Sequence, residues 1–218
     1  MRIHFDDQLH RLNEEMIHMG SLIEQAIENA CLVMVSRDAE AARQIMENDV
    51  EIDRKQREIE TMCLRLILMQ QPVARDLRLV SSALKMITDM ERIGDQAADI
   101  SEIISMPVKG TLYAYPNELQ KMGQAAGAMV HKAIDAFVQR NTDLAAEVIR
   151  DDDVVDQLFN EVRGQLLHTM KKHTEYGAQL LDALMIAKYL ERIGDHAVNI
   201  GEWVEYAVTG LYKGEKFS

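Results

Sequence analysis

The chain is poor in the residues that staple small domains or build β-rich ones. Of 218 residues only two are cysteine, Cys31 and Cys63, three are proline and one is tryptophan; aromatics make up 5%. Both cysteines lie inside separate apolar patterns, so they are expected to be buried free thiols in a reducing compartment, not a disulfide framework. The scarcity of aromatics and prolines argues against a β-sandwich. Basic residues are also short, with 24 Lys and Arg against 36 Asp and Glu, a net charge of −12. That deficit speaks against nucleic acid and against anionic membrane surfaces as partners. No run approaches the ~18 apolar residues of a membrane span, and Met1–Asp7 has no apolar signal core. The expectation is a cytoplasmic protein that meets a membrane only through partners.

What is present is helix-forming. Hydrophobic residues reach 47%, and Ala, Leu, Ile, Met, Glu, Gln and Arg dominate, most of which favour helix. Apolar periodicity predicts six helices, near 6–35, 38–69, 73–106, 117–139, 142–172 and 176–209. Asp38 and Thr142 are expected N-caps, and Pro72 stands where a first-turn proline would. The fourteen methionines are expected to fill the core. Tyr113, Tyr115, Trp203 and Tyr206 are expected near the linker and last helix, exposed enough to serve a dimer or partner surface.

A long-period repeat sets the architecture. Glu91-Arg92-Ile93-Gly94-Asp95 recurs as Glu191-Arg192-Ile193-Gly194-Asp195, and residues 90–100 match 190–200 at seven of eleven positions. Upstream, 37–53 aligns with 140–156 at an offset of 103, sharing Arg37/Arg140, Ala42/Ala145, Asp49/Asp152 and Asp53/Asp156. Helix 2 therefore matches helix 5, and helix 3 matches helix 6. Short connections imply antiparallel neighbours. The expected fold is all-α: two tandem antiparallel three-helix bundles related by internal duplication, spanning 1–107 and 116–212, with a linker at 108–115 and a frayed tail at 213–218.

The repeated feature is a set of acid pairs at i,i+4, which a helix stacks on one face. Each half carries two: Asp49/Asp53 with Glu91/Asp95, and Asp152/Asp156 with Glu191/Asp195. Like charges at that spacing cost a helix about 0.2–0.5 kcal/mol per pair. Asp53 has Arg57 nearby and Glu191 has Lys188, but the pairs Glu91/Asp95 and Asp152/Asp156 are expected to lack a basic partner on their own helices. Val80, Leu84, Ile87 and Glu91 fall on nearly one line, so the acids continue an aliphatic stripe. Partly buried carboxylates need a counter-charge, and a cation supplies one. All-oxygen donors suit Mg, Mn or Fe, with bridging carboxylates allowing clusters of several ions. Gly94 and Gly194 inside these helices point to close approach of a neighbour. Arg92 and Arg192 are expected in salt bridges between helices.

Two other readings compete. A ferritin-like di-iron enzyme needs two Glu-x-x-His pairs, whereas the sequence offers one, Glu15-x-x-His18, with none in the second half. A metal-free helical scaffold would treat the acids as surface charge, against which the matched pairs speak. No nucleophile constellation or glycine-rich phosphate loop appears, so no enzymatic activity is expected.

The duplicated E-R-I-G-D, the D-x-x-x-D pairs and the start of helix 3, Gln71-Pro72-Val73-Ala74-Arg75-Asp76-Leu77-Arg78, together resemble the PhoU family over about residues 5–210. The resemblance implies two three-helix bundles and a homodimer. It implies multinuclear clusters of Fe or Zn, or of Mg or Mn, one on Asp49, Asp53, Glu91 and Asp95, the other on Asp152, Asp156, Glu191 and Asp195. It further implies a negative regulator of phosphate uptake and the Pho regulon, an adaptor between the phosphate ABC transporter ATPase and a phosphate-sensing histidine kinase. The two sites depart from equivalence, since Asp99 becomes Asn199.

Overall fold

Heptad spacing decides the packing. In the second helix Ile45, Ile52, Ile59 and Leu66 are all buried and lie seven residues apart; Val148, Val155 and Val162 repeat the seam in the fifth. Such a seam faces the other two helices of its bundle and leaves the rest of the helix to water. The third and sixth helices are instead apolar over a wide arc, with Val80, Met86, Ile87, Met90 and Ile93 on one and Leu180, Ile186, Leu190 and Ile193 on the other fully or almost fully buried. They occupy the middle.

The computed structural model describes residues 2–108 and 110–216. It has six α-helices: α1 (Arg2–Ser36), α2 (Ala39–Gln70), α3 (Arg75–Ser105), α4 (Asn117–Gln139), α5 (Thr142–Lys172) and α6 (Gly177–Thr209). Helices α1–α3 form one antiparallel three-helix bundle and α4–α6 the other. The bundles join along α3 and α6, with α1 also against α4. One continuous core runs from Phe5 to Ala207, so the duplicated halves share their interior. The duplication reaches the backbone: Arg37 and Arg140, 103 residues apart, both turn left-handed at φ 56° and 54° where the first helix of each half ends. No helix among the described residues is long and apolar enough to cross a membrane.

Several local expectations are corrected. The α5 cap is Asn141, not Thr142: its side chain accepts from the backbone N–H of Asp143 at 2.9 Å and Leu144 at 3.2 Å. Asn141 is the counterpart of Asp38, which caps α2 in the same way. Pro72 lies before α3, which starts at Arg75 with Ala74 as its N-cap. The linker is tied down: Arg37 donates to the Tyr113 carbonyl and lies 3.4 Å over the Tyr115 ring, while Gln179 accepts from the Tyr113 N–H and donates to the Thr111 carbonyl. Tyr113 and Tyr115 are thus half-buried against their own chain.

Part of the tail is folded as well. Leu211–Tyr212 pairs antiparallel with Glu215–Lys216, the only sheet among the described residues. Trp203 stacks on Tyr212 at 4.3 Å and Glu202 pairs with Lys213 at 3.0 Å, which fastens the hairpin to α6. The last two residues of the expected frayed tail, and Lys109 of the expected linker, lie outside the described residues.

The cap assignment is testable. Asn141→Ala should lower unfolding free energy by about 1 kcal/mol, the usual worth of an N-cap, and Thr142→Ala by only a few tenths. Urea denaturation of both variants checks it; equal losses would return the cap to Thr142.

Candidate metal centre

Each acidic set is assembled where an outer helix lies against a central one. The seam residue Ile52 and its neighbour Asp49 both meet Gly94: a Cβ built there would stand 2.9 Å from the Ile52 Cδ1 and 3.0 Å from the Asp49 Oδ1. In the second bundle a Cβ on Gly194 would stand 3.1 Å from the Asp152 Oδ1. The glycines are there because a carboxylate of the adjacent helix occupies the space a side chain would need. That accounts for tolerating Gly in mid-helix at about 1 kcal/mol relative to Ala.

The acids of each expected set lie near enough to act on one another's charge. Burial, followed by Asp95, Asp53, Glu91 and Asp99, pushes the Asp49 carboxyl from 3.8 up to about 6. Burial, then Asp156, Asp195 and Glu191, pushes Asp152 up to about 6 in the same way. Glu91 and Asp195 are also raised, burial first and a neighbouring carboxylate second. Two independent clusters therefore show one electrostatic pattern: several acids, partly withdrawn from water, each disfavouring the charge of the next.

These residues fit an oxygen-ligand cation in donor type. The Asp152 Oδ1 is buried with no hydrogen-bond partner, a group that ordinarily costs 1–3 kcal/mol unless something satisfies it. A cavity of about 170 Å³ opens beside Asp49, Asn48, Asn29 and Gly94. The cages are not closed, however. Among the described residues no three His, Cys, Asp or Glu side chains stand in metal-holding geometry. The reason is visible in the rotamers: Asp53 turns to Arg57 at 3.0 Å, Asp95 to Arg92 at 2.8 Å, and Glu191 to Lys188. Partly exposed pairs of this kind are worth about 0–1 kcal/mol, so exchanging them for a multivalent ion is inexpensive.

Three sequence expectations fail here. Arg92 does not bridge helices; it pairs on its own helix with Asp95 and, at 3.4 Å, with Glu91. Asp95 therefore does have a basic partner at i−3. Glu15, the acid of the lone Glu-x-x-His, is held by Lys55 at 2.9 Å. Trp203 and Tyr206 contact each other edge to face instead of standing free.

Asp99, whose replacement by Asn199 distinguishes the two halves, lies close enough to raise Asp49. One group carries no signal in the sequence. Asp89 ties the bundles together: its Oδ1 lies 2.9 Å from His196 Nδ1 and accepts from Asn199 Nδ2 at 3.0 Å. No periodicity links residues 107 and 110 positions apart on two central helices.

Comparison with known proteins agrees with the duplication. The PhoU domain model matches the chain twice, over residues 16–104 and 119–204. The chain belongs to the PhoU family. It is 38% identical over 207 residues to a Clostridium acetobutylicum protein described as a phosphate-specific transport system accessory protein PhoU homolog, covering 94% of each chain. It is 32% identical over 206 residues to the corresponding PhoU of Escherichia coli, covering 94% of this chain and 86% of that one. Among solved structures it is similar to PhoU from Pseudomonas aeruginosa, with a TM-score of 0.90 at 32% identity over 95% of this chain and 100% of that one. The phosphate transport system regulatory protein PhoU from Streptococcus pneumoniae gives 0.89 at 29%, covering 95% of this chain and 98% of that one.

The raised carboxyls set a pH dependence for protein held in chelator. Asp49 and Asp152 bind their protons more tightly folded than unfolded, so the stability they contribute is present below pH 3.8 and is lost as pH rises through about 6. Asp49→Asn with Asp152→Asn should melt higher than the parent at pH 7.5, the gap narrowing as pH falls from about 6 towards 4. Thermal melts across that range check it, and a gap independent of pH would refute it.

Proposed function

We propose that this chain is a non-enzymatic accessory regulator of a phosphate-specific transport system, acting by binding. The observation that carries this is the double match to the PhoU domain on a fold whose duplicated acidic faces are its main chemical feature. Relatives at 32–38% identity over 94% of the chain bear the transport-accessory name, which supports placing this one beside the transport machinery. The finer reading is an adaptor in the cytoplasm between the transporter's ATPase and a phosphate-sensing histidine kinase. It represses both uptake and the phosphate-starvation response when phosphate is plentiful, and works as a homodimer.

In this reading Asp49, Asp53, Glu91 and Asp95 hold one group of metal ions, and Asp152, Asp156, Glu191 and Asp195 the other. Mg, Mn, Fe or Zn would supply the positive charge that the clustered carboxylates lack. The protein's part is positional: α2 against α3, and α5 against α6, bring the carboxylates together on one face. Release of Asp53 from Arg57 and of Glu191 from Lys188 frees two donors. The neutralised seams would then stiffen the long helices that offer a partner its surface.

Two measurements test this at separate levels. Elemental analysis of protein purified without chelator should find bound metal, reduced by about half in Asp53→Ala/Glu91→Ala; unchanged stoichiometry returns the acids to the scaffold reading. Deleting the gene should derepress alkaline phosphatase in phosphate-rich medium. Normal repression with normal phosphate uptake would reject the regulatory role even if metal were found.

A further inference from the structure

One groove in the molecule is rich in arginine. It runs between the N-terminal third of α1 and the C-terminal half of α2, has a volume of about 570 Å³, and is lined by Arg11, Arg54, Arg57 and Arg65 over an apolar floor of Met62 and Leu66. Four guanidiniums on one groove stand out in a chain of net charge −12. We propose that this groove binds an extended phosphoanhydride ligand, a molecule with at least two linked phosphoryl groups such as a nucleoside triphosphate.

The first argument is the charge left over once internal pairs are counted. The two acids lining the groove, Glu15 and Glu58, both grip Lys55, each at 2.9 Å, and the Lys55 side chain is only 8% exposed. That buried ammonium offsets one of their two negative charges, so the four arginines still leave the groove positive by about three. Arg54 makes only loose contacts, 3.5 Å to Glu51 and 3.9 Å to Glu58, and Arg57 has Asp53 at 3.0 Å. Arg11 and Arg65 enter no ion pair among the described residues and are exposed. Guanidinium forks bind phosphoryl oxygens in bidentate fashion, and the volume lies in the range of small-molecule sites.

The second argument comes from the duplication, which provides an internal control. At the offset of 103, Arg54, Arg57, Met62 and Arg65 correspond to Gln157, Asn160, Gln165 and His168. Helix α5 keeps the buried seam of α2 without these arginines, so the bundle does not require them. The facing wall is equally one-sided. Helix α1 has 35 residues and α4 has 23, and the groove uses the extra N-terminal turns, with Gln8 and Arg11 lying ahead of the matched domain that begins at residue 16. One half has acquired a basic groove that the other lacks.

Spacing selects the ligand. Arg54 and Arg65 are eleven residues apart, about 16 Å along a helix. A single orthophosphate engages one or two of the guanidiniums; linked phosphoryl groups reach more of them. Met62, half-buried on the groove floor above the core residue Leu66, offers an apolar contact to a nucleobase.

The test is titration calorimetry on the full chain in buffer free of divalent cations, using ATP, tripolyphosphate and orthophosphate as probes. The variant Arg54→Gln/Arg57→Asn/Arg65→His installs the residues that α5 carries at the same positions, and Arg43→Gln is the control for lost charge. ATP or tripolyphosphate should bind, more weakly as salt rises, and at least tenfold more tightly than orthophosphate. The triple variant should weaken this at least tenfold with unchanged helical circular dichroism and melting temperature, and Arg43→Gln should not. Tighter binding of ATP than of tripolyphosphate would assign the apolar floor to the base, and equal binding would assign the site to the phosphate chain alone. Orthophosphate binding as tight as tripolyphosphate, equal binding by the triple variant, or binding of an acidic peptide but of neither polyphosphate would overturn the proposal.

Discussion

Much of the candidate site depends on how closely each outer helix lies against its central partner. The seams of Ile52 on α2 and Val155 on α5 bring Asp49 and Asp152 down onto Gly94 and Gly194. Once there, each carboxylate is partly withdrawn from water and surrounded by acids of both helices. A larger residue at either glycine would push the helices apart or the carboxylate outward. The aliphatic packing is therefore what holds like charges together, and it can do so because each buried branched side chain gains about 1.5–3 kcal/mol against a few tenths per repelling helix pair.

The same arithmetic explains why the clusters stand open. Buried carboxylates without a partner take up protons or find cations, and here both outcomes are visible. Asp49 and Asp152 are pushed up to about 6, while Asp53, Asp95 and Glu191 turn to Arg57, Arg92 and Lys188. Those basic residues are placeholders in the electrostatic sense: one positive charge each, half in solvent, on acids that a multivalent ion would hold more firmly. Only Asp152 Oδ1 among the site's oxygens is left buried and unsatisfied.

The architecture could be read from the chain because it rests on local and repeated signals. The offsets of 100 and 103 place Glu91 with Glu191 and Asp49 with Asp152 whatever the tertiary detail, and the heptad seams follow from spacing alone. The failures share a different character. Arg92 is long enough to reach a neighbouring helix, but Asp95 three residues on is the nearer partner. Thr142 has a cap-forming side chain, but the offset from Asp38 leads to Asn141. The Asp89, His196 and Asn199 link between α3 and α6, and the Trp203–Tyr212 stack that holds the hairpin, arise only when distant segments meet. The acid pairs and their equivalence between halves were legible; side-chain rotamers, which decide where each carboxylate points, were not.

Duplication also allows the two halves to diverge in what they bind while keeping what they bury. Residues of the shared seam are conserved in kind between halves: Ile45, Ile52 and Ile59 answer to Val148, Val155 and Val162. The exposed face is not: Arg57 answers to Asn160 and Asp99 to Asn199. Because α1 outruns α4, the wall facing α2 extends further than the one facing α5. Arg57 stands at the junction, lining the basic groove and pairing with Asp53 of the acidic face. Any anion that draws Arg57 away removes a positive charge from the first carboxylate cluster, and nothing equivalent acts on the second. The two acidic faces are therefore alike in their donors and unlike in their electrostatic surroundings, a difference that lies wholly in residues the bundle does not need in order to fold.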